Sequence, residues 1–421
     1  MGHVESEPEI YGARMGWGLS GHHDPELATL HVIEQVRQQI GPGAAQFAFL
    51  FVSAGLMDRA ATIAARTAEA LGTDAIIGCS SPGLIGGRST LEQRTGVALL
   101  AAQIPGISVR RFAIDPREEP TRDDDWDALV AERMLIDAHR GSIVLIDPAT
   151  MPTSRPIDRL DAAFKSVPLL GALTSNTHGK PAALVDGPRV RTGGLVGLSI
   201  GGDVAIDVVL AQGCRPVGSP VVVTSAKRNL ICELSGRPAI EVIREVAHTF
   251  DHADRRMLAS GLYIGLAIDE YRERFGRGDF IVRKVVGGHE PSGAVAIDAQ
   301  VRAGRTVQVH LLDPELARSD LSLLLDGQKL HSRPLGGLLL TDAGRGRELF
   351  GDDWSDAIAV ARAFDQSESG VDAAKVGHEI AESGGSIPLS GCFTSGQLAC
   401  SGGACRAHAL AACLALFRTP T

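Results

Sequence analysis

The sequence has few aromatic residues, an odd number of cysteines and no excess of positive charge. Phe, Trp and Tyr make up 4% of its 421 residues, and the seven cysteines contain no C-x-x-C pair. Their odd number and spacing argue against both a zinc ribbon and a disulfide framework. With 41 Lys and Arg against 50 Asp and Glu, the net charge is −9, so nucleic acid is not an expected partner. No apolar run reaches the ~18 residues that span a bilayer, so we expect no membrane partner and a cytoplasmic protein.

The composition and hydrophobic patterns instead predict an α+β (or α/β) protein, a duplicated layered sandwich of mixed β-sheets covered by helices. Asp24-Pro25 is typical of a helix start. Residues 47–52 are all apolar, as expected for a strand that is covered on both faces. Residues 407–417 predict a single closing strand. We expect an N-terminal lead (1–24) and two domains (25–220 and 221–421), with their boundary just after Gly213–Gly218.

Three predicted strand ends have a similar local sequence, in which glycine is followed within three positions by a hydroxyl residue. They are Gly78-Cys79-Ser80-Ser81, Gly171-Ala172-Leu173-Thr174 and Gly391-Cys392-Phe393-Thr394. Small residues leave room for close approach to the backbone, and hydroxyl groups hydrogen-bond small polar ligands. We therefore predict an internal duplication whose halves form the walls of a ligand cleft. Its predicted residues are Cys79, Ser80, Ser81, Thr174, Ser175, Asn176, Cys392, Thr394 and Gln397.

Six motifs in order, spread from about residue 27 to 417, resemble the FIST sensory family. They lie at 78–83, 212–218, 223–239, 280–283, 344–346 and 391–396. The resemblance implies an N-terminal and a C-terminal FIST domain, and a sensor of a small ligand such as an amino acid or a related compound. A separate signalling partner protein would then read the bound state. Some members of the family are similar to haem-binding nitric oxide sensors.

The sequence departs from the family pattern at two places, which leaves the ligand's identity open. Asp342-Ala343 stands where many members have Cys-Asn, and Gln397 stands where they have Glu. Arginine is the natural partner of a ligand carboxylate, and Arg215, Arg283 and Arg345 lie in the family-like motifs. Each of them has internal ion pairing as its alternative role. We expect Arg345, between two glycines, to be the most exposed of them, and Asp342 either to pair with it or to bind a ligand amino group.

Two other functions remain open from the sequence, besides a purely partner-binding scaffold. An enzyme would use Cys79, Cys392 or a Ser or Thr as nucleophile. A haem sensor would use one histidine in an apolar pocket, with His178, His289, His310 and His408 as candidates. No metal site is predicted, and haem is the one cofactor considered.

Overall fold

The computed structural model describes residues 12–151, 154–164, 167–175, 181–258, 261–276, 278–365, 385–401 and 404–420. Three copies of one β-α-β-α-β-β-β-β unit make up most of these residues. The first repeat contains β1 (Arg14–Ser20), α1 (Pro25–Ile40), β2 (Phe47–Ser53), α2 (Ala60–Leu71), β3 (Ile76–Ser81), β4 (Gly83–Gly86), β5 (Ser89–Glu92) and β6 (Val97–Gln103). The second contains β7 (Ile107–Ile114), α3 (Asp123–Arg133), β8 (His139–Ile146), α4 (Ser154–Ala163), β9 (Leu169–Leu173), β10 (Ala183–Asp186), β11 (Arg189–Thr192) and β12 (Leu195–Gly202).

The third repeat is interrupted after its first strand, β13 (Ala205–Ala211), by an additional unit of about one hundred residues. This insert consists of β14 (Cys214–Lys227), β15 (Leu230–Leu234), β16 (Arg237–Pro238), α5 (Ala239–His248), α6 (His252–Leu258), β17 (Tyr263–Ala267), β18 (Phe280–His289), β19 (Ala294–Ile297) and β20 (Thr306–Leu312). The repeat then continues with α7 (Pro314–Gln328), β21 (Gly336–Asp342), α8 (Arg347–Phe350), α9 (Asp356–Ala363), β22 (Leu389–Thr394), β23 (Gly396–Ser401), β24 (Ala404–His408) and β25 (Ala412–Arg418).

Each repeat forms a mixed sheet with the same strand arrangement. The parallel pairs β2/β3, β8/β9 and β21/β22 lie at the centre of the three sheets. The hairpin just before the last strand of each repeat lies in another sheet: β4–β5 joins the third sheet, β10–β11 the first, and β23–β24 the second. The three repeats are therefore linked in a cycle by exchanged hairpins.

Alternate residues of β2 explain why its whole sequence is apolar. Phe47, Phe49 and Phe51 face a core that is shared by all three sheets, whereas Ala48 and Leu50 pack under α1 and α2. The Phe47 ring lies 5.5 Å from that of Phe417, in the third repeat. Side chains alternate between the two faces of a strand, so a strand between a shared core and a helix layer must be apolar on both.

The predicted α+β class, with helix-covered mixed sheets, is confirmed. The repeat number is different, because the predicted duplication is a triplication. The domain boundary expected near residue 220 falls within the continuous strand β14. The predicted closing strand is two strands, β24 and β25, because the backbone turns at Leu410, which has a φ of 55°. Within the described ranges, no helix combines the length and apolar character needed to cross a membrane.

Candidate functional site

The three glycines of the predicted strand ends occupy one equivalent position in the three sheets. Gly78, Gly171 and Gly391 lie on β3, β9 and β22, each beside the carbonyl group of its parallel neighbour strand. A Cβ atom would lie 1.6, 1.9 and 1.8 Å from the backbone oxygens of Leu50, Val144 and Leu339, respectively. These glycines are needed for strand packing, and this contact explains the shared sequence without a ligand.

The next position in each strand points into the shared core. Cys79, Ala172 and Cys392 are fully buried. Burial, followed by the neighbouring Cys79 thiol, raises the pKa of Cys392 well above its ordinary value. A nucleophilic cysteine must be ionised and accessible, so this environment does not favour the enzyme alternative for these thiols.

The hydroxyl residues of the strand ends are also buried, and most of them bind the exchanged hairpins. The Ser81 hydroxyl lies 2.7 Å from the carbonyl oxygen of Phe393 in the third repeat. The Ser80 hydroxyl accepts from the backbone N–H of Ala183, in the second repeat, at 3.0 Å. Thr394 accepts from the Gln397 amide at 2.9 Å. The bonds of Ser80 and Ser81 join different repeats, and that of Thr394 joins two strands of the third repeat.

Two further predicted hydroxyl groups lack hydrogen-bond partners. Thr174 Oγ1 and Ser175 Oγ are both buried and form no hydrogen bond in the described part of the chain. The next predicted site residue, Asn176, lies outside the described residues.

Arg345 is not exposed to a ligand, so that expectation was wrong. It is 1% exposed, and Asp356 accepts from its Nε at 2.9 Å and from its Nη2 at 2.8 Å. Burial lowers the pKa of Arg345 and the Asp356 carboxylate raises it, with a net increase. Asp342 accepts instead from the backbone N–H groups of Gly344 and Leu410, at 2.8 and 3.1 Å, and so fixes the turn between β24 and β25.

The other two predicted arginines belong to the insert. Arg215 forms ion pairs with Asp254 and with Asp313, the latter at 3.2 Å from its Nε. Arg283 is largely buried, and its Nε has no partner among the described residues. Desolvation lowers the pKa of Arg283, against the opposing charge of Asp298. Of the three, Arg215 and Arg345 show the internal ion pairing that the sequence left open.

A cleft of about 220 Å³ lies where the insert meets the third repeat. The insert contributes residues of β14, β17–β18 and β20, and the third repeat contributes α7, β24 and the end of β13. The described lining residues are Leu210, Gln212, Cys214, Pro216, Ile268, Gly276, Gly278, Phe280, Val282, His310, Leu316, Asp320, Leu324 and His408. In the first and second repeats, short loops at 21–24 and 115–122 connect the first strand to the first helix. These loops are too short to form such a cleft. The insert, which takes the place of this loop in the third repeat, therefore provides a cleft that the other two repeats lack.

Two buried histidines from different parts of the chain line this cleft. His310 Nδ1 lies 3.0 Å from the carbonyl oxygen of Gln308, and its ring packs edge-on against Phe280 with centroids 5.1 Å apart. His408 Nδ1 lies 3.4 Å from the Gln212 amide nitrogen. Desolvation lowers the pKa of each to about 4. Both rings are therefore neutral at pH 7.

The remaining polar groups of the cleft are held by neighbouring contacts. Asp320 Oδ2 accepts from the backbone N–H of Gln212 at 2.7 Å. Burial raises the pKa of the Cys214 thiol, so this cysteine stays protonated. The sequence predicted His310 and His408 only as haem candidates and missed Asp320. Gln212, which begins the family-like motif at 212–218, was the sequence signal that could have pointed to this cleft.

Of the other haem candidates, His289 is exposed, with its Nδ1 2.7 Å from the Ser292 hydroxyl, and His178 lies outside the described residues. In the part of the chain that the structure describes, no group of three or more His, Cys, Asp or Glu side chains could hold a metal ion.

Comparisons with known proteins match almost the whole chain. A model of the FIST N domain matches residues 46–237, and one of the FIST C domain matches residues 239–400. The uncharacterized protein Rv0628c of Mycobacterium tuberculosis is 30% identical over 407 residues, which is 96% of this chain and 99% of that protein. The uncharacterized protein Mb0898c of Mycobacterium bovis is 29% identical over 407 residues, 96% of this chain and 98% of that protein.

Proposed function

Because the chain belongs to the FIST family, whose domains are described as sensory domains that bind small ligands, we propose that it senses an amino acid or a related small polar metabolite in the cleft between the insert and the third repeat. The observation that carries this proposal is the composition of the cleft. Two neutral, buried histidines, an amide and a carboxylate lie among apolar side chains there. Small-molecule sites commonly have this combination of an apolar wall and a few placed polar groups.

The position of the cleft supports a sensory role. The insert is joined to the third repeat by two chain crossings, at residues 212–213 and at Asp313. A ligand that contacts both walls binds more tightly when the walls are close together. A bound ligand can transmit a signal only if its affinity differs between two arrangements of the protein in this way. We propose that a separate cytoplasmic partner protein reads that arrangement.

The size of the cleft favours a small ligand over haem. About 220 Å³ is below the roughly 300–1,000 Å³ of pockets that hold drug-sized molecules. A compound the size of an amino acid is consistent with this volume, whereas a porphyrin needs much more room. Haem binding through His310 or His408 would require the insert to move away.

Isothermal titration calorimetry with a panel of amino acids and related metabolites, after a thermal-shift screen, tests the proposal. Leu324 lines the cleft and is 37% exposed, whereas its neighbour Leu323 is 71% exposed and lies outside the cleft. Leu324→Trp should fill the cleft and abolish binding, and Leu323→Trp should leave it unchanged. Binding that survives Leu324→Trp would place the ligand elsewhere, and a protein that binds no member of the panel would refute the proposed function.

A visible spectrum of the purified protein, before and after haemin is added, separates the haem alternative. An intense Soret band that is lost in His310→Ala or His408→Ala would support haem binding instead of the proposed function. A colourless protein that leaves the haemin spectrum unchanged would exclude it.

A further inference from the structure

Two cysteines that lie far apart in the sequence meet in the core that the three sheets share. Cys79 on β3 and Cys392 on β22 occupy the same position of the first and third repeats, and both side chains are fully buried. We propose that they are the site of a disulfide bond, which joins the first sheet to the third when the chain folds in the presence of a small-molecule disulfide. This site is separate from the cleft and does not depend on its ligand.

The strands that carry the two cysteines are in contact at the corner where β3 continues into β4. β4 pairs with β22, with Leu84 opposite Cys392. Two residues after Cys79, the Ser81 hydroxyl donates to the carbonyl oxygen of Phe393 at 2.7 Å. The Cys392 thiol interacts with the Cys79 thiol and with the Ser81 hydroxyl. A disulfide requires Cβ atoms about 4 Å apart on side chains that face each other, and both thiols face the shared core.

The second repeat indicates that packing alone does not require a thiol at this position. Ala172 takes the equivalent place on β9 and is also fully buried. Because the three sheets surround one core, equivalent inward positions of two repeats approach each other, and two of the three copies of this position are cysteines. The spacing of the cysteines in the sequence gave no sign of this pair, since only the cyclic arrangement of the repeats brings it together.

A third thiol of the shared core, Cys413, is too far from Cys392 to compete for it. Leu340 of β21 lies between them, in register with Cys392 on one side and with Cys413 on the other. Neighbouring strands are about 4.8 Å apart, so these two cysteines are separated by about 9.6 Å, beyond the Cα separation of about 7 Å that a disulfide can bridge. Among the thiols of the described core, Cys79 is therefore the one that Cys392 can reach.

Burial determines when the bond can form. It raises the pKa of the Cys392 thiol, and a protonated, inaccessible thiol does not attack a disulfide. Exchange therefore takes place while the chain folds, before the third sheet closes on the first. One thiolate attacks the small disulfide, which forms a mixed disulfide and releases one small thiol. The second thiolate then attacks the cysteine sulfur of the mixed disulfide and releases the other small thiol, so the chain is oxidised and the small disulfide is reduced.

Refolding from urea with oxidised glutathione, compared with refolding in reduced glutathione alone, tests the proposal. Peptide mapping by mass spectrometry, after free thiols have been alkylated in denaturant, should show Cys79 linked to Cys392 in the oxidised sample only. The melting temperature of that sample should be several degrees higher, because the bond closes a very long loop. Absence of the Cys79–Cys392 linkage from the oxidised sample would overturn the proposal.

Cys79→Ala and Cys392→Ala are the matched variants, because alanine already stands at the equivalent position of the second repeat. Each should lose the rise in melting temperature on oxidation, whereas Cys232→Ala, at a half-buried position of the insert, should keep it. A rise of the same size in Cys79→Ala would assign the effect to other cysteines and refute the proposal. If the urea-unfolded chain does not refold, synthesis in bacteria with an oxidising cytoplasm supplies the oxidised sample, and the same linkage and variants decide.

Discussion

Replacing Asp356 by alanine tests the view that Arg345 is a structural residue and not a ligand-binding one. The substitution removes both carboxylate contacts of a guanidinium that is 1% exposed. It also removes the acceptor of the Thr341 hydroxyl, which lies 2.5 Å from Asp356 Oδ2. A buried charge that loses its partner costs about 3–5 kcal/mol of folding free energy, so we expect a loss of that size.

The assay is equilibrium unfolding in urea at 25 °C, followed by circular dichroism. The double variant Arg345→Met, Asp356→Leu removes both charges, and it should recover most of the lost stability because apolar pairs often replace buried ion pairs at little cost. Asp356→Asn, which keeps an acceptor, is the measurable substitute if the alanine variant does not fold. A loss below about 1 kcal/mol in both single variants, or a double variant no more stable than Asp356→Ala, would refute the reasoning.

Three further predictions concern the core, the cleft and the thiols. Alanine at any of the three equivalent strand glycines should prevent soluble expression or lower the unfolding midpoint sharply, because its Cβ would overlap a carbonyl oxygen; a near-native midpoint in any one of these variants would contradict this. The folded-state pKa of His310, about 4, lies below its unfolded value of about 6.5, so the unfolded state binds more protons between these values. Stability should therefore fall as the pH drops from 6.5 to 4, by up to about 3 kcal/mol from this group, and urea titrations of His310→Gln should show a weaker dependence. Iodoacetamide should label Cys79 and Cys392 only after unfolding, as mass spectrometry can show; rapid labelling of the native protein would reopen the enzyme alternative.

Local features of the fold could be predicted because nearby residues determine them. The helix after Asp24 begins as expected, with the Asp24 carboxylate accepting from the backbone N–H groups of Glu26 and Leu27. An Asp-Gly pair is a strong signal for a β-hairpin turn, and Asp186-Gly187 forms the turn between β10 and β11. The all-apolar strand at 47–52 is covered on both faces, as its sequence predicts.

The threefold repeat was missed because the insert separates the first strand of the third repeat from its first helix. One signal was present: Asp-Pro-Glu-Leu occurs at 24–27 and again at 313–316, and in both places the aspartate caps the first helix of a repeat. The insert lengthens the spacing between these two copies, so the spacing does not reveal the length of one repeat.

The role of Arg345 could not be predicted from its neighbours in the sequence. Its flanking glycines indicated an open backbone, but the side chain turns inward to Asp356, on a separate helix. The cleft was equally hidden, because its walls come from β14, β20, α7 and β24, which only the tertiary fold brings together. Residues such as Asp320 have no distinctive local pattern.

The cyclic exchange of hairpins has a consequence for how the chain is made. The Ser81–Phe393 hydrogen bond joins residues 312 positions apart, and β22–β25 supply strands to both the second and the third sheet. In a linear array of repeats, each unit packs only on its neighbours. In this ring, by contrast, neither one repeat nor two repeats can complete their sheets without strands from the others. The final strands must leave the ribosome before the sheets can close, and a chain shortened by its last thirty residues loses strands of the second and third sheets at once.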